Sequence, residues 1–316
     1  KSPGQAPDSV ATFHVGEGLP WAWRGAWTTT ANSDRNSLRA PMTSTSPCGL
    51  LIIDKPVGMT SRMTVDFVER PLRPVKVGHA GTLDPLAQGV MVLCVGAATR
   101  LIDYVHRLPK RYLATFRFGV SSPTLDLESV PVELPDAPRP TREQLEQALG
   151  AFRGTIQQRP PDFSAAWVQG KRAYELARRG DDVQLAARTI TIHAISLTRY
   201  EYPEADFDVT CSTGTYIRSL GCDIATGLGT AAVMTSLERT SIGPFERTSA
   251  LPAQRMSRDK ILERLRSGAE ALPDMPRHVA TAVERDLIAH GRFVALDQPA
   301  GISELAAIDE SGALLA

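Results

Sequence analysis

Apolar positions change their spacing several times along the chain, and each change marks a predicted element. Leu50, Leu51, Ile52 and Ile53 form an unbroken run closed by Pro56 and Gly58, the pattern of a buried strand. Thr60 or Ser61 then caps a helix predicted to reach about Arg70, with Val65 and Val68 inward. Val75-Lys76-Val77 and Val90-Met91-Val92-Leu93 are two further apolar runs. Over Tyr112 to Phe118 the period becomes two: Tyr112, Ala114, Phe116 and Phe118 alternate with more polar neighbours, which predicts a strand. Thr141-Arg142-Glu143-Gln144 has capping-box spacing, and Leu145, Ala148, Leu149 and Phe152 share one helical face. A helix is predicted from Lys171 to Arg179, stopped at Gly180. Ile190, Ile192 and Ala194 alternate, a second strand follows over Phe207, Val209 and Cys211, and Ile217, Leu220, Ile224 and Leu228 return to helical spacing. A last helix is predicted near Ser257 to Arg266.

Strands and helices mix without a strict βαβ rhythm, so the pattern predicts an α+β fold with long-range antiparallel pairing. Residues 1–48 are rich in Ser, Thr, Pro, Gly and Ala, lack any sustained period, and are expected to be disordered; Trp21, Trp23 and Trp27 stand in them outside any pattern. Ser122 to Arg139 is proline-rich and reads as a loop or insertion.

Composition narrows the classes. With 316 residues, 42% hydrophobic and 22% charged, the chain has the make-up of a soluble globular protein with ample core. No run of eighteen apolar residues and no signal-peptide pattern occurs, so no membrane segment is expected and a cytoplasmic location is. Cys48, Cys94, Cys211 and Cys222 form no C-x-x-C pair and have no histidine at ligand spacing, which predicts reduced thiols and no metal. There is no glycine-rich phosphate loop carrying a lysine, so no cofactor is expected. Lysine plus arginine equals aspartate plus glutamate, at 35 each, which by itself speaks against a nucleic-acid binder. Local basic clusters stand at Arg107-Lys110-Arg111, Lys171-Arg172 and Arg178-Arg179.

The most informative string is GHAGTLDPLAQG, Gly78 to Gly89. It sets one carboxylate, Asp84, in a glycine- and proline-framed loop between two apolar runs. Pro85 pushes the residue before it toward extended geometry, so Asp84 is expected on a rigid loop outside any helix.

That string closely resembles the second motif of the pseudouridine synthases, in particular the bacterial tRNA pseudouridine synthase B (TruB-type) family. LLIIDKPVGMTS (Leu50 to Ser61) resembles the family's first motif, with Lys55 and Pro56 at its lysine-proline. KRYLATFRFG resembles the motif carrying Tyr112, PPDFSAAWVQGKRAYELARRG the substrate-contacting strand and helix with Lys171 and Arg172, and CSTGTYIRSL the motif with Tyr216 and Arg218. The matches keep the family's order over about residues 49 to 245.

The resemblance implies a pseudouridine synthase fold: a central mixed, largely antiparallel sheet flanked by helices, at 49–245, followed at 246–316 by a short PUA-like, β-rich RNA-binding region. It implies a cofactor-free isomerase with tRNA as partner, acting on uridine 55 in the TΨC stem-loop, with no membrane and no protein partner. Asp84 is the implied catalytic carboxylate, Arg218 the cation that offsets the cost of closing a charge into the site, and Tyr112 the aromatic face for a flipped base. His79, Lys55, Lys171, Arg172 and Tyr216 are the implied substrate contacts. Phe163 stands where the family usually has tyrosine, and Ala166-Trp167 where it has leucine-lysine, which removes one phosphate contact. Ser122-Pro123-Thr124 also departs from the family pattern, while Asp126 fits its later aspartate. A guide-RNA-dependent synthase and a non-catalytic tRNA-binding chaperone are the alternatives. The continuation PLAQG argues against the first, and the joint presence of Asp84, Tyr112 and Arg218 against the second.

Overall fold

The computed structural model describes residues 12–13, 46–164, 167–168, 171–180, 185–295 and 304–316, with backbone alone at 12–13, 167–168, 171–172 and 295. It divides into two compact units, Cys48–Leu265 and Lys1–Pro47 with Arg266–Ala316.

The larger unit is built on one ten-stranded sheet. Its strands are β1 (Gly49–Lys55), β2 (Val77–His79), β3 (Ala87–Val95), β4 (Lys110–Phe118), β5 (Gly154–Gln158), β6 (Arg188–Glu201), β7 (Glu204–Cys211), β8 (Ala232–Ile242), β9 (Phe245–Glu246) and β10 (Leu251–Pro252). They lie in the order β10-β1-β3-β8-β4-β7-β6-β5, with β2 beside β3 and β9 beside β8. Pairing is antiparallel except for β3 with β8 and β10 with β1, so the sheet is mixed and largely antiparallel, as expected. It continues through β10, and the unit runs on to Leu265, beyond the expected end at Phe245.

Period and burial agree along β4, β1 and β3. Along β4, Tyr112, Ala114, Phe116 and Phe118 are buried while Arg111, Leu113 and Arg117 face outward. Most of β1 and of β3 is buried, which explains their unbroken apolar text. Leu51, Ile53, Met91 and Leu93 join the main core, where Val65 and Val68 of α1 (Ser61–Leu72), Leu145 of α3 (Arg142–Ala148) and Leu220 of α5 (Ile217–Gly227) pack. In β6 the alternation breaks: Ile190 and Ile192 are buried, but a register shift leaves Ala194 exposed and turns Ile195 inward.

Caps form where the text signals them. Thr60 accepts from the Met63 amide, Thr141 and Gln144 complete a capping box, and Ser257 starts α6 (Arg258–Glu263). α2 (Ile102–Arg107) follows β3 after a 3₁₀ turn at Gly96–Leu101. The helix predicted from Lys171 is shorter, α4 being Ala173–Arg178; Lys171–Arg172 instead pairs antiparallel with Trp167–Val168.

In the smaller unit, Arg277–Val279 pairs in parallel with Ala306–Ile308, and α7 (Ala282–Ala289) starts from a complete capping box at Thr281 and Glu284. Within the arm expected to be disordered, Thr12–Phe13 pairs antiparallel with Val294–Ala295; 1–11 and 14–45, with the three tryptophans, lie outside the described residues.

Candidate active site

Asp84 lies on the connection from β2 to β3, and that connection leaves no backbone carbonyl loose from 81 to 85. Arg239 donates to the carbonyls of Gly81 (3.1 Å) and Thr82 (3.3 Å). The Ser61 hydroxyl, at the start of α1, both accepts from the Leu83 amide and donates to its carbonyl, each at 2.9 Å. The Asp84 carbonyl accepts from Ala87 (3.0 Å), and that of Pro85 from Gly58 (2.7 Å). A loop gripped this fully presents its side chain without the entropy loss of ordering it at the moment of reaction.

The carboxylate meets Arg218 from α5. Arg218 Nη2 stands 3.0 Å from Asp84 Oδ2, and the two differ sharply in exposure: the arginine side chain is 6% exposed, the aspartate 41%. The guanidinium is therefore seated in protein, while the carboxylate opens outward. Three further groups fix the arginine: the Thr124 carbonyl (2.8 Å), the Phe163 carbonyl (3.0 Å) and Asp126 Oδ2 (3.5 Å). Asp126 is itself buried and accepts from the Glu128 amide. Between Thr124 and Asp126, Leu125 adopts φ +61°, a left-handed conformation costly for a branched side chain. That reversal lets the carbonyl before it and the carboxylate after it converge on one guanidinium. α5 reaches this position because Gly221, one turn beyond Arg218, touches the Phe116 ring; a Cβ there would fall 1.9 Å from the ring.

Tyr112 and Arg239 are direct partners across the β4–β8 pair. Tyr112 is 8% exposed; burial raises its hydroxyl above the ordinary tyrosine value, opposed by the Arg239 guanidinium beside it, so it stays protonated at neutral pH. Arg239 is 1% exposed and also donates to the Val90 carbonyl (2.7 Å). Lys55, at the end of β1, is fully buried; Nζ donates to the carbonyls of Pro56 (3.0 Å) and Met59 (2.7 Å). Burial, opposed by Asp84 and assisted by Arg239, lowers its pKa to about 8. Lys110 donates to the carbonyls of His106 and Leu108, and burial lowers it likewise to about 8. His79 ends β2; burial and then Arg239 lower its pKa, which keeps the ring neutral, and its buried Nδ1 has no partner among the described residues.

The structure thus brings Asp84, Arg218, Tyr112 and His79 to one region. Lys55, expected as a substrate contact, supports the turn at 56–59 from beneath, because its ammonium is enclosed and taken by carbonyls. Tyr216 precedes α5, with its amide and carbonyl held by the side-chain amide of buried Gln158 (2.8 and 3.0 Å) and its ring 6.0 Å from the Arg188 guanidinium. The side chains of Lys171 and Arg172 lie outside the described ones. Sequence reading missed Arg239, Gln158 and Ser61. The available signal for Arg239 was a charged residue on the inward register of a strand otherwise marked by Met234 and Leu237. Among the described residues, no group of three or more His, Cys, Asp or Glu could hold a metal, and no helix is long and apolar enough to cross a membrane.

A family model described as TruB family pseudouridylate synthase (N terminal domain) matches residues 69–217, the span from α1 to the first residue of α5. The fold resembles that in the crystal structure of a Cbf5–Nop10–Gar1 complex, with TM-score 0.62 and 23% identity over 89% of this chain and 84% of that one. An H/ACA RNP bound to a substrate RNA containing 2′-deoxyuridine gives TM-score 0.61 at 21% identity, over 89% and 84% of the two chains. The two likenesses show a shared fold. Closer in sequence, the tRNA pseudouridine synthase B of Rhodopirellula baltica is 44% identical over 73% of this chain and 71% of its own. That of an Arthrobacter species is 40% identical over 85% and 89%. The chain belongs to the TruB family of pseudouridine synthases.

Proposed function

We propose that this protein isomerises uridine to pseudouridine in tRNA, at position 55 of the TΨC loop, with Asp84 as the reacting carboxylate. The observation that carries the reading is the Asp84–Arg218 pair: a half-exposed carboxylate backed by an arginine buried in protein, at 3.0 Å. The reaction breaks the bond from ribose C1′ to N1 of uracil, turns the detached base, joins C1′ to C5, removes the C5 proton and leaves N1 protonated, so that product and substrate are isomers. It needs a carboxylate, a face for the base and a dry floor. Asp84 supplies the first, and the Tyr112 ring the second, with stacking worth roughly 1–3 kcal/mol per base. Buried Arg239, Lys55 and Lys110 close the floor from below. Arg218 holds Asp84 toward the opening, and the partly exposed, neutral ring of His79 offers a face to the nucleotide. A target base inside a folded tRNA elbow has to be extruded first, at a cost of a few kcal/mol that contacts to phosphate and RNA shape offset.

The test is incubation with an unmodified tRNA transcript, without any guide RNA, followed by mapping pseudouridine by position. Wild type is expected to modify one uridine, in the TΨC loop. Asp84→Asn is expected to bind the transcript normally and form no product, since an amide is neither nucleophile nor base. Modification only with a guide RNA added would replace this reading with the guide-dependent one. Binding without any product in wild type would leave the chaperone. Residual turnover in Asp84→Asn would remove Asp84 from its role.

A further inference from the structure

Arg239 belongs to none of the motifs that identify the site, yet the motif loop is shaped around it. Gly81 (φ +103°) passes with its Cα side against the Arg239 Nη1, where a Cβ would stand 3.5 Å away. Gly89 (φ +110°) is tighter: a Cβ there would lie 2.2 Å from the Arg239 main-chain carbonyl. Both glycines take left-handed torsions that side chains resist, Gly81 in the loop beside the guanidinium and Gly89 within β3 against the main chain of its strand partner Arg239. The guanidinium lies in the space beside Gly81. Its Nε takes the Val90 carbonyl, its Nη1 that of Thr82 and its Nη2 that of Gly81, so one rigid plane joins the start of the loop to the strand that follows it. Among the described residues it makes no ion pair with a carboxylate; it donates to these three carbonyls and also bonds the Tyr112 side chain. A register shift in β8 immediately after Arg239 is the kind of irregularity that re-aims a side chain.

We infer that Arg239 is a positioning residue for the reaction: it fixes the segment Gly81–Thr82 against β3, and so sets where Asp84 meets Arg218 and the Tyr112 face. The inference rests on the function proposed above. A lysine at this place keeps the charge but cannot span three carbonyls with a planar fork, so the loop gains freedom while the sheet keeps its packing. Misplacement of the carboxylate by about 1 Å is enough to cost on the order of 100-fold in rate.

The experiment uses the full chain with Arg239→Lys and Arg239→Met, and Ser61→Ala as a second cut in the same loop, at Leu83. Single-turnover rate, tRNA dissociation constant and melting temperature are read on each preparation. Arg239→Lys is expected to remain folded, to bind tRNA within about twofold of wild type and to turn over on the order of 100-fold more slowly. Arg239→Met is expected to be slower still, and Ser61→Ala intermediate between wild type and Arg239→Lys. A folded Arg239→Lys at wild-type rate overturns the inference, as does equal loss of rate and affinity, which a residue serving only the fold would give. Should Arg239→Met fail to fold, Arg239→Lys decides alone. Absence of product from wild type would instead defeat the proposed function, so the two failures are separable.

Discussion

Two arginines hold the Asp84 loop, one from the helix side and one from the sheet side, and they are satisfied by opposite means. Arg218 lies between two carboxylates, Asp84 and Asp126, and two carbonyls. Arg239 has three carbonyls and, among the described residues, no ion pair. The first side matches charge to charge and leaves one carboxylate open to the outside. The second binds backbone and keeps its charge underneath. A site that needs both an accessible anion and a fixed loop can separate the two tasks this way: the residue that handles charge does not also have to hold shape.

The largest effect on this comparison should come from Arg218→Lys. The substitution keeps a cation but loses the fork that reaches two carboxylates and two carbonyls at once. Turnover is expected to fall by about 100-fold, with tRNA affinity and melting temperature little changed. Rates near wild type would mean that the charge alone suffices, and that the geometry of the helix side is incidental.

Next comes Gly221→Ala, which moves the helix side without touching either arginine. A methyl there meets the Phe116 ring, so α5 has to shift or the core has to strain; overpacking of this kind costs about 1–3 kcal/mol. Thermal unfolding should report the loss, and the rate should fall further than stability alone accounts for, because Arg218 moves with its helix. A variant as stable as wild type would refute the close helix–sheet approach.

The smallest effect concerns the charge kept beneath the sheet side. Burial lowers Lys55 from an ordinary 10.5 to about 8, so the folded protein releases this proton from about pH 8 while the unfolded chain keeps it to about 10.5. Within that window the unfolded state binds more protons, and the lysine's contribution to stability rises with pH; below about pH 8 the full cost of the buried charge stands. Wild type should therefore gain stability relative to Lys55→Met as pH is raised from about 7.5 to about 9.5. The measurement is the difference of the two melting temperatures at each pH. A difference independent of pH would show that the ammonium is not desolvated.

The helix side was more legible in the sequence than the sheet side, for a physical reason. Asp84, Tyr112 and Arg218 sit in local strings whose glycines, proline and alternation announce a loop, a strand and a helix start. Thr60, Thr141 and Ser257 announce their helices equally well, because a cap is a local hydrogen bond. Arg239 bonds residues some 150 positions away, and Gln158 holds Tyr216 58 positions away. Neither pairing has a local period to betray it. The same limit explains the misread helix start at Lys171, where helix-forming side chains occupy a short hairpin, and Ala194, which alternation placed inward and a register shift turned out. Asp126 and Arg218 were each read as matches but their pairing was not, because the left-handed turn at Leu125 that aims Asp126 has no sequence signal in a leucine.

The cations under the sheet side also bear on the neutrality of the whole chain, whose 35 basic and 35 acidic side chains give no sign of a polyanion partner. Charge counts ignore depth. Lys55, Lys110 and Arg239 lie in protein, where the dielectric screening that water gives surface charge is weak, and their donors are taken by carbonyls, which carry no net charge to cancel them. Acidic groups such as Asp206 and Asp208 stand on the outward register of β7 with arginine partners of their own. Among the groups described around Asp84, four enclosed cations, Arg218, Lys55, Lys110 and Arg239, stand against two carboxylates, Asp84 and Asp126. A chain that is neutral in sum thus carries a local surplus of positive charge around its one outward-facing site carboxylate.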